Sequence, residues 1–295
     1  MSAINPREWR ERGPDPFPPL WASAWGDDRC GLWADMELGG ERSAVLQRLR
    51  WIEPGRFLMG SPKSEAERSN DEGPQHMVTI TQGLWLADTA CTQALWLAVM
   101  GKSPRYIVAN KGGPDHPVSH VSWDEVQEFL LTLQALLPGC VATLPTEAEW
   151  EYACRAGTTG PFSFGDNITS EQVNYDRNNP YSNGKPGEFR KRTVPVKDLP
   201  ANAWGLYQMH GNVWEWCADH TGPYTEEAQT DPGLAGALDP QAGDKEAERA
   251  MRGGSWIIGA GPPRSANRRN LRQNRNDLST GFRFALRSSS QASAQ

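Results

Sequence analysis

The chain lacks any long apolar run. Its 295 residues have a mean hydropathy of −0.64, and nothing in them approaches the ~20 consecutive apolar residues of a membrane-spanning helix. Residues 1–8, Met-Ser-Ala-Ile-Asn-Pro-Arg-Glu, also lack the apolar centre of a secretory leader. The expectation is a cytoplasmic protein with no membrane partner. Cysteine is scarce: Cys30, Cys91, Cys140, Cys154 and Cys217 form no CxxC pair and are odd in number. That argues against a disulfide framework and for reduced, mostly buried thiols. Basic charge is not in excess either; the net charge of −6 argues against specific nucleic-acid binding. Only five histidines are present, and His116-Pro-Val-Ser-His120 alone has a ligand-like spacing. Pro117, Val118 and Val121 call for extended chain there, which puts residues four apart about 13 Å from each other. Turn and strand-entry packing is therefore the expected role of both rings. No internal repeat is visible.

What the chain does have is tryptophan, glycine and proline, at 13, 29 and 23 residues. That mixture predicts a turn-rich fold held by large aromatic anchors rather than by long helices. Trp25–Leu38 alternates towards its end, and Gly39-Gly40 reads as a hairpin turn into Ala44–Ile52. Phe57–Met59, Met77–Ile80 and Leu84–Leu86 read as strands, and Val194–Val196 as a short edge strand. Thr92, Ser122 and Thr146 stand where helix caps belong. Ser122-Trp-Asp-Glu125 and Thr146-Glu-Ala-Glu149 are capping boxes. The first opens a helix with Val126, Phe129, Leu130, Leu133 and Leu137 on one face; the second runs through Ala153. Ser61–Gln75 reads as a solvated acidic loop, because Glu65, Glu67, Asp71 and Glu72 lack calcium-loop spacing. Tyr224–Glu248 reads as a long surface excursion. Helices and strands segregated in this way give an α+β domain.

The densest stretch runs from Gly205 to Asp219 and contains Gly211-Asn-Val-Trp-Glu-Trp216. In a strand Trp214 and Trp216 share one face, and Glu215 points to the other, where its charge needs a partner. Residues 252–287 then carry eight Arg against the single acid Asp277, a net +7 that leaves −13 for the rest. Asn267, Asn270, Asn274 and Asn276 are interleaved with them. Arg and Asn together offer many donors and acceptors, which suits a recognition surface.

Gly-Asn-Val-Trp-Glu-Trp, Arg252-Gly-Gly-Ser-Trp256 and Gly281-Phe-Arg283 resemble the formylglycine-generating enzyme (sulfatase-modifying factor) family. Pro54–Ser61, Pro117–Trp123 and Leu144–Tyr152 match it in register, so the resemblance spans about four fifths of the chain. It implies a C-type-lectin-like fold as a single domain, with short strands, two or three helices and much ordered loop. The implied division is an arm and hairpin extension at 1–48, the domain at 49–287 and a disordered tail at 288–295. It also implies structural calcium. One ion would be held by Gln208, Gly211 O, Val213 O and Glu215, where Gln208 replaces the family's usual Asn or Asp. A second would be held by Asn174, Tyr175 O, Glu188 and Arg190 O. The family enzyme binds copper through two thiolates between Gly-Gly-Ser-Tyr/Trp and Gly-Phe-Arg, and residues 257–280 contain no Cys, so no copper is expected here.

The same stretch resembles the variable region of diversity-generating retroelement variable proteins, in which contact residues are rewritten on a C-type-lectin fold. Carried over, the contact residues are Ile257, Ile258, Ala260, Asn267, Arg269, Asn270, Leu271, Gln273, Asn274, Asn276 and Leu278. The expected function is non-catalytic binding of a protein or other macromolecular ligand through 257–280. The alternative is an oxidoreductase of the family using other metal ligands.

Overall fold

The computed structural model describes residues 13–39, 44–104, 112–238, 248–259 and 261–289. Residues 1–12 of the expected arm and 290–295 of the expected tail lie outside these residues. The chain opens with β1 (Ala24–Asp28), β2 (Gly31–Leu38) and β3 (Val45–Ile52), followed by β4 (Gly55–Met59), β5 (His76–Ile80) and β6 (Leu84–Ala87). Helices α1 (Gln93–Met100) and α2 (Trp123–Leu136) precede β7 (Cys140–Thr143), and α3 (Glu147–Arg155) follows it. After a long ordered loop come β8 (Trp214–His220), β9 (Gln229–Thr230), the short α4 (Leu234–Leu238) and β10 (Glu248–Arg252). The described chain closes with β11 (Arg269–Arg272), β12 (Thr280–Gly281) and β13 (Ala285–Ser288).

The caps sit where the sequence placed them. Thr92 accepts from Leu95 N at 3.1 Å, and Gly101 ends α1 at φ +65°. Ser122 with Glu125 and Thr146 with Glu149 form reciprocal boxes, and losing such a cap costs about 1 kcal/mol. The apolar face of α2 is buried: Phe129 stacks on Trp96 at 5.4 Å and meets Phe282 edge-on at 5.1 Å.

Six strands form the main sheet, in the order β1-β2-β3-β6-β13-β7. The β2–β3 hairpin runs in register from Trp33 opposite Arg50 to Leu38 opposite Val45, with Gly39 at φ +97°. The division expected at 48/49 therefore cuts through β3. That strand buries Leu49 and Ile52 and pairs with β6, so the hairpin is integral to the sheet and not an extension of it. A second sheet runs β11-β10-β8-β12 and a third β4-β5-β9.

Two local readings are corrected. Val194–Val196 is not a strand; its polar groups are taken by Asn212 and by Asp115 O in irregular chain. Ser61–Gln75 is not a solvated loop throughout, because Glu72 is fully buried.

Candidate functional site

The site is built on the two faces of β8. Trp214 and Trp216 lie on the side of the main apolar core, and Trp216 Nε1 donates to Val121 O at 3.0 Å. Glu215 faces the other way and is spent internally. Its Oε2 accepts from Arg283 Nε at 2.6 Å and from Trp150 Nε1 at 2.7 Å, and its Oε1 accepts from Arg283 Nη2 at 2.8 Å. Before β8 the chain turns through Gly211 at φ +97°, where a Cβ would meet Asn174 O at 2.5 Å. Asn212, itself at φ +68°, accepts from Val194 N and Asn174 Nδ2, both at 3.0 Å. One amide thus ties three loops together. Sequence reasoning marked the turn but not this role.

The Arg-rich stretch divides into an inner and an outer part. Arg252, Arg264, Arg283 and Arg287 are at most 2% exposed, so the +7 does not form one surface. Arg252 pairs with Glu151 and Glu147 and donates to Ser265 O at 2.9 Å and Asn267 O at 2.8 Å. Arg264 bridges Glu72 at 2.6 Å and Glu65 at 2.7 Å. Arg268 forks onto Glu147 and lies 4.1 Å above the Tyr224 ring. Arg287 pairs with Glu149 at 2.7 Å. Burial works to raise the Glu151 carboxyl, but Arg155, Arg252 and the Gly60 N–H outweigh it and hold it below its ordinary value. These partners come from 65–72 and from α3. Glutamates on a short, nearly all-buried helix were the available signal, and they read instead as first-turn and capping acids.

Two predicted contact residues therefore fall inside. Asn267 is 7% exposed and donates to Glu72 Oε1 at 3.2 Å; Gln273 is 6% exposed and accepts from Arg249 Nε at 3.2 Å. Ile258 and Leu271 are half-buried against the main core. Ala260 lies outside the described residues. The outer arc keeps Ile257 and Leu278, 47% and 49% exposed, with Asn270 and Asn274 exposed and Arg269 and Asn276 partly so. Arg269 pairs with Asp277 at 2.6 Å, and Asp277 Oδ1 also accepts from Ser279 and Thr280. Asn270 donates to Glu248 across the sheet.

Beside this arc opens a cleft of about 820 Å³. Trp256, Leu278, Val194 and Pro195 give it apolar wall; Arg190, Lys191, Arg192, Glu188, Asp198 and His116 give it polar groups. His116 Nδ1 lies 2.9 Å from Thr193 Oγ1. His120 sits in the chain turn at φ +61°. No cluster of three His, Cys, Asp or Glu suited to a metal ion occurs among the described residues.

Beneath the arc, His210 is enclosed. Its Nδ1–H donates to Pro263 O at 2.6 Å, so Nε2 accepts from Ser163 N at 3.1 Å and from Ser163 Oγ at 2.9 Å. Burial pulls its pKa down to about 4; the Arg155 charge acts in the same sense and the Pro263 hydrogen bond opposes it. The folded state then binds fewer protons than the unfolded chain between pH 6.5 and 4. Stability is full above about 6.5 and is expected to fall by on the order of 3 kcal/mol as the pH drops to about 4. Urea unfolding of His210→Gln, measured across that window, is expected to lose most of this slope.

Residues 257–280 hold no cysteine. The nearby Cys154 and Cys217 are buried, and burial pushes their thiols up, Cys154 to about 12. The two implied calcium sets differ. Gln208 Oε1 and Asn174 Oδ1 are both buried acceptors without a partner. In the first set, however, the one carboxylate, Glu215, already accepts three hydrogen bonds from Arg283 and Trp150. In the second, Glu188 is 65% exposed and pairs with Arg190 at 3.3 Å.

Short strands in three sheets, segregated helices and a loop-built face define a C-type-lectin-like α+β scaffold. Comparison with known proteins carries this further. The model of the sulfatase-modifying factor enzyme 1-like domain matches residues 39–288, and the chain belongs to that family. It is 33% identical over 208 residues to the formylglycine-generating enzyme of Streptomyces coelicolor, covering 66% of this chain and 60% of that protein. The chain thus spans less than two thirds of that relative's length. Among solved structures, Treponema denticola variable protein 1 matches with a TM-score of 0.66 at 23% identity, over 86% of this chain and 99% of that one. PvdO from Pseudomonas aeruginosa matches with a TM-score of 0.62 at 25% identity, over 90% and 98%.

Proposed function

We propose that this protein is a non-catalytic binder that presents the outer arc of 257–278, together with the adjoining cleft, to a protein or other macromolecular ligand. One observation carries the reading: side chains of mixed character face outward from backbone that is pinned from below. Ile257, Asn270, Arg272, Asn274, Arg275 and Leu278 are exposed, while Arg252 and Arg264 anchor the same segment to buried glutamates. A rigid floor lets the outer side chains change at little cost to the fold, which is what a display surface needs. The likeness to Treponema denticola variable protein 1 concerns the fold, and it is consistent with a variable-protein role. Sibling sequences from the same genome are expected to differ at the exposed positions of 257–280 and to keep Arg252, Arg264 and Asn267. Differences spread evenly along the chain would remove that role.

The enzymatic reading, an oxidoreductase using other metal ligands, rests on family membership. Cu(I) titration with oxygen uptake on a Cys-containing peptide separates the two. The binder reading expects neither tight stoichiometric copper binding nor turnover, and both together would replace it.

Calcium enters as a structural proposal at Asn174, Tyr175 O, Glu188 and Arg190 O. Millimolar calcium is expected to raise the thermal midpoint by a few degrees through preferential binding to the folded state. Glu188→Gln is expected to abolish most of that rise, and calorimetry with calcium against EDTA checks it.

A further inference from the structure

We propose that the cleft beside the arc is a carboxylate-selective subsite, which takes an acidic residue of an extended peptide with an apolar neighbour seated against Trp256 and Leu278. The inference rests on the binder reading and names the chemistry of its ligand.

Three observations carry it. Arg190, Lys191 and Arg192 are consecutive and all line the cleft. Lys191 and Arg192 are exposed, and neither ammonium nor guanidinium has an ion-pair partner among the described residues; Lys191 only overhangs the Phe189 ring at 6.0 Å. Most of the molecule's buried arginines, by contrast, are paired with carboxylates. Two free cations in a concave wall concentrate positive potential there. Next, part of the lining is apolar. Leu278 is half exposed, and Trp256 is partly so with its backbone N–H fixed on Asn212 O at 3.1 Å. Trp256 therefore offers its ring from an anchored backbone, which lowers the ordering cost to a ligand. Finally, Glu188 and Asp198 also line the cleft. They leave the lining only modestly positive. A polyphosphate or a nucleic-acid backbone would meet both carboxylates, whereas a single carboxylate on an apolar stem would not need to.

The cleft's size fits a short segment of chain, since ligand pockets run from about 300 to 1,000 Å³. Its floor is kept close by Gly112, where a Cβ would fall 2.0 Å from His116 Nδ1. Burial keeps His116 below its ordinary pKa, with Arg192 pushing the same way and Asp198 and Asp115 opposing. The neutral ring leaves the cation role to Lys191 and Arg192.

The test is isothermal titration calorimetry of the full chain with an acetylated, amidated hexapeptide of alternating Leu and Asp. Its Leu/Asn counterpart, sodium hexanoate and inorganic phosphate are titrated in parallel. The Leu/Asp peptide is expected to bind, the Leu/Asn peptide to bind roughly tenfold more weakly or not at all, and hexanoate to compete where phosphate does not. The double substitution Lys191→Glu/Arg192→Glu is expected to weaken the Leu/Asp peptide by about tenfold or more. Both residues are exposed, so an unchanged thermal midpoint would show that the fold is retained. Equal binding of the two peptides, phosphate competing as well as hexanoate, or undiminished binding by the double variant would each overturn the proposal. Failure of the wider reading looks different. A binder selected against the outer arc that is lost with Ile257→Asp but not with the double variant keeps the arc and discards the subsite; a selection that yields no arc-dependent binder discards the arc.

Discussion

Glu215→Ala is expected to lower the stability of the fold by about 3–5 kcal/mol. The substitution strands two donors at once. Arg283, with no measurable exposure, loses both hydrogen bonds to the carboxylate, and Trp150 Nε1 loses its acceptor. Arg283 would keep the backbone carbonyls of Ala87, Asp88 and Tyr207, with the Asp88 carboxylate, already paired with Lys197, as a remaining counter-charge. Paired burial of this kind does not have to be a net gain, since desolvating both ions costs about as much as their attraction returns. The double substitution Glu215→Met/Arg283→Met is therefore expected to cost less than Glu215→Ala alone. Urea unfolding midpoints for the single and double variants check both statements, and a double variant less stable than the single one would refute the account. Among the described residues this pair joins β8 to the segment between β12 and β13, and so joins two of the three sheets.

Arg252→Met is the second large effect, about 3–5 kcal/mol by the same reasoning, with a local consequence of its own. Arg252 donates to Ser265 O and Asn267 O while pairing with Glu151 and Glu147. Met fills the space and gives no donor. Glu151 then keeps Arg155 and the Gly60 N–H, but two carbonyls under the arc are orphaned. Amide hydrogen exchange is expected to quicken in 264–272 by more than the global loss of stability explains, with the amides of α2 following the global change alone. Uniform acceleration everywhere would mean that Arg252 supports the fold as a whole and not the arc in particular.

Much of the architecture was legible in the sequence because local rules set it. Ser122-x-x-Glu125 and Thr146-x-x-Glu149 are helix-start signals carried by four neighbouring residues, and Trp214 and Trp216 had to share a face once β8 was extended. The hairpin at Gly39 and the absence of thiolates in 257–280 were equally local readings. The site was less legible because its meaning depends on distant partners. Nothing near Arg264 announces that Glu72, 192 positions away, is buried against it. The eight arginines therefore looked like one surface, and their sum of charge could not separate those turned inward from those left outside. Val194–Val196 failed for a related reason: its β-type residues are buried, but their backbone groups go to the Asn212 side chain and to a loop carbonyl rather than to a neighbouring strand.

β13 comes after every other strand in the described chain, yet it fills an interior place between β6 and β7. During synthesis the polypeptide emerges in order, so the main sheet stays split into β1-β2-β3-β6 and a lone β7 until residues 285–288 clear the ribosome. Until then β6 presents an unpaired edge, β7 has no strand partner, and Phe129 waits for Phe282 and Phe284. A nascent chain stalled short of Ala285 should therefore be a good client for chaperones that hold exposed strand edges.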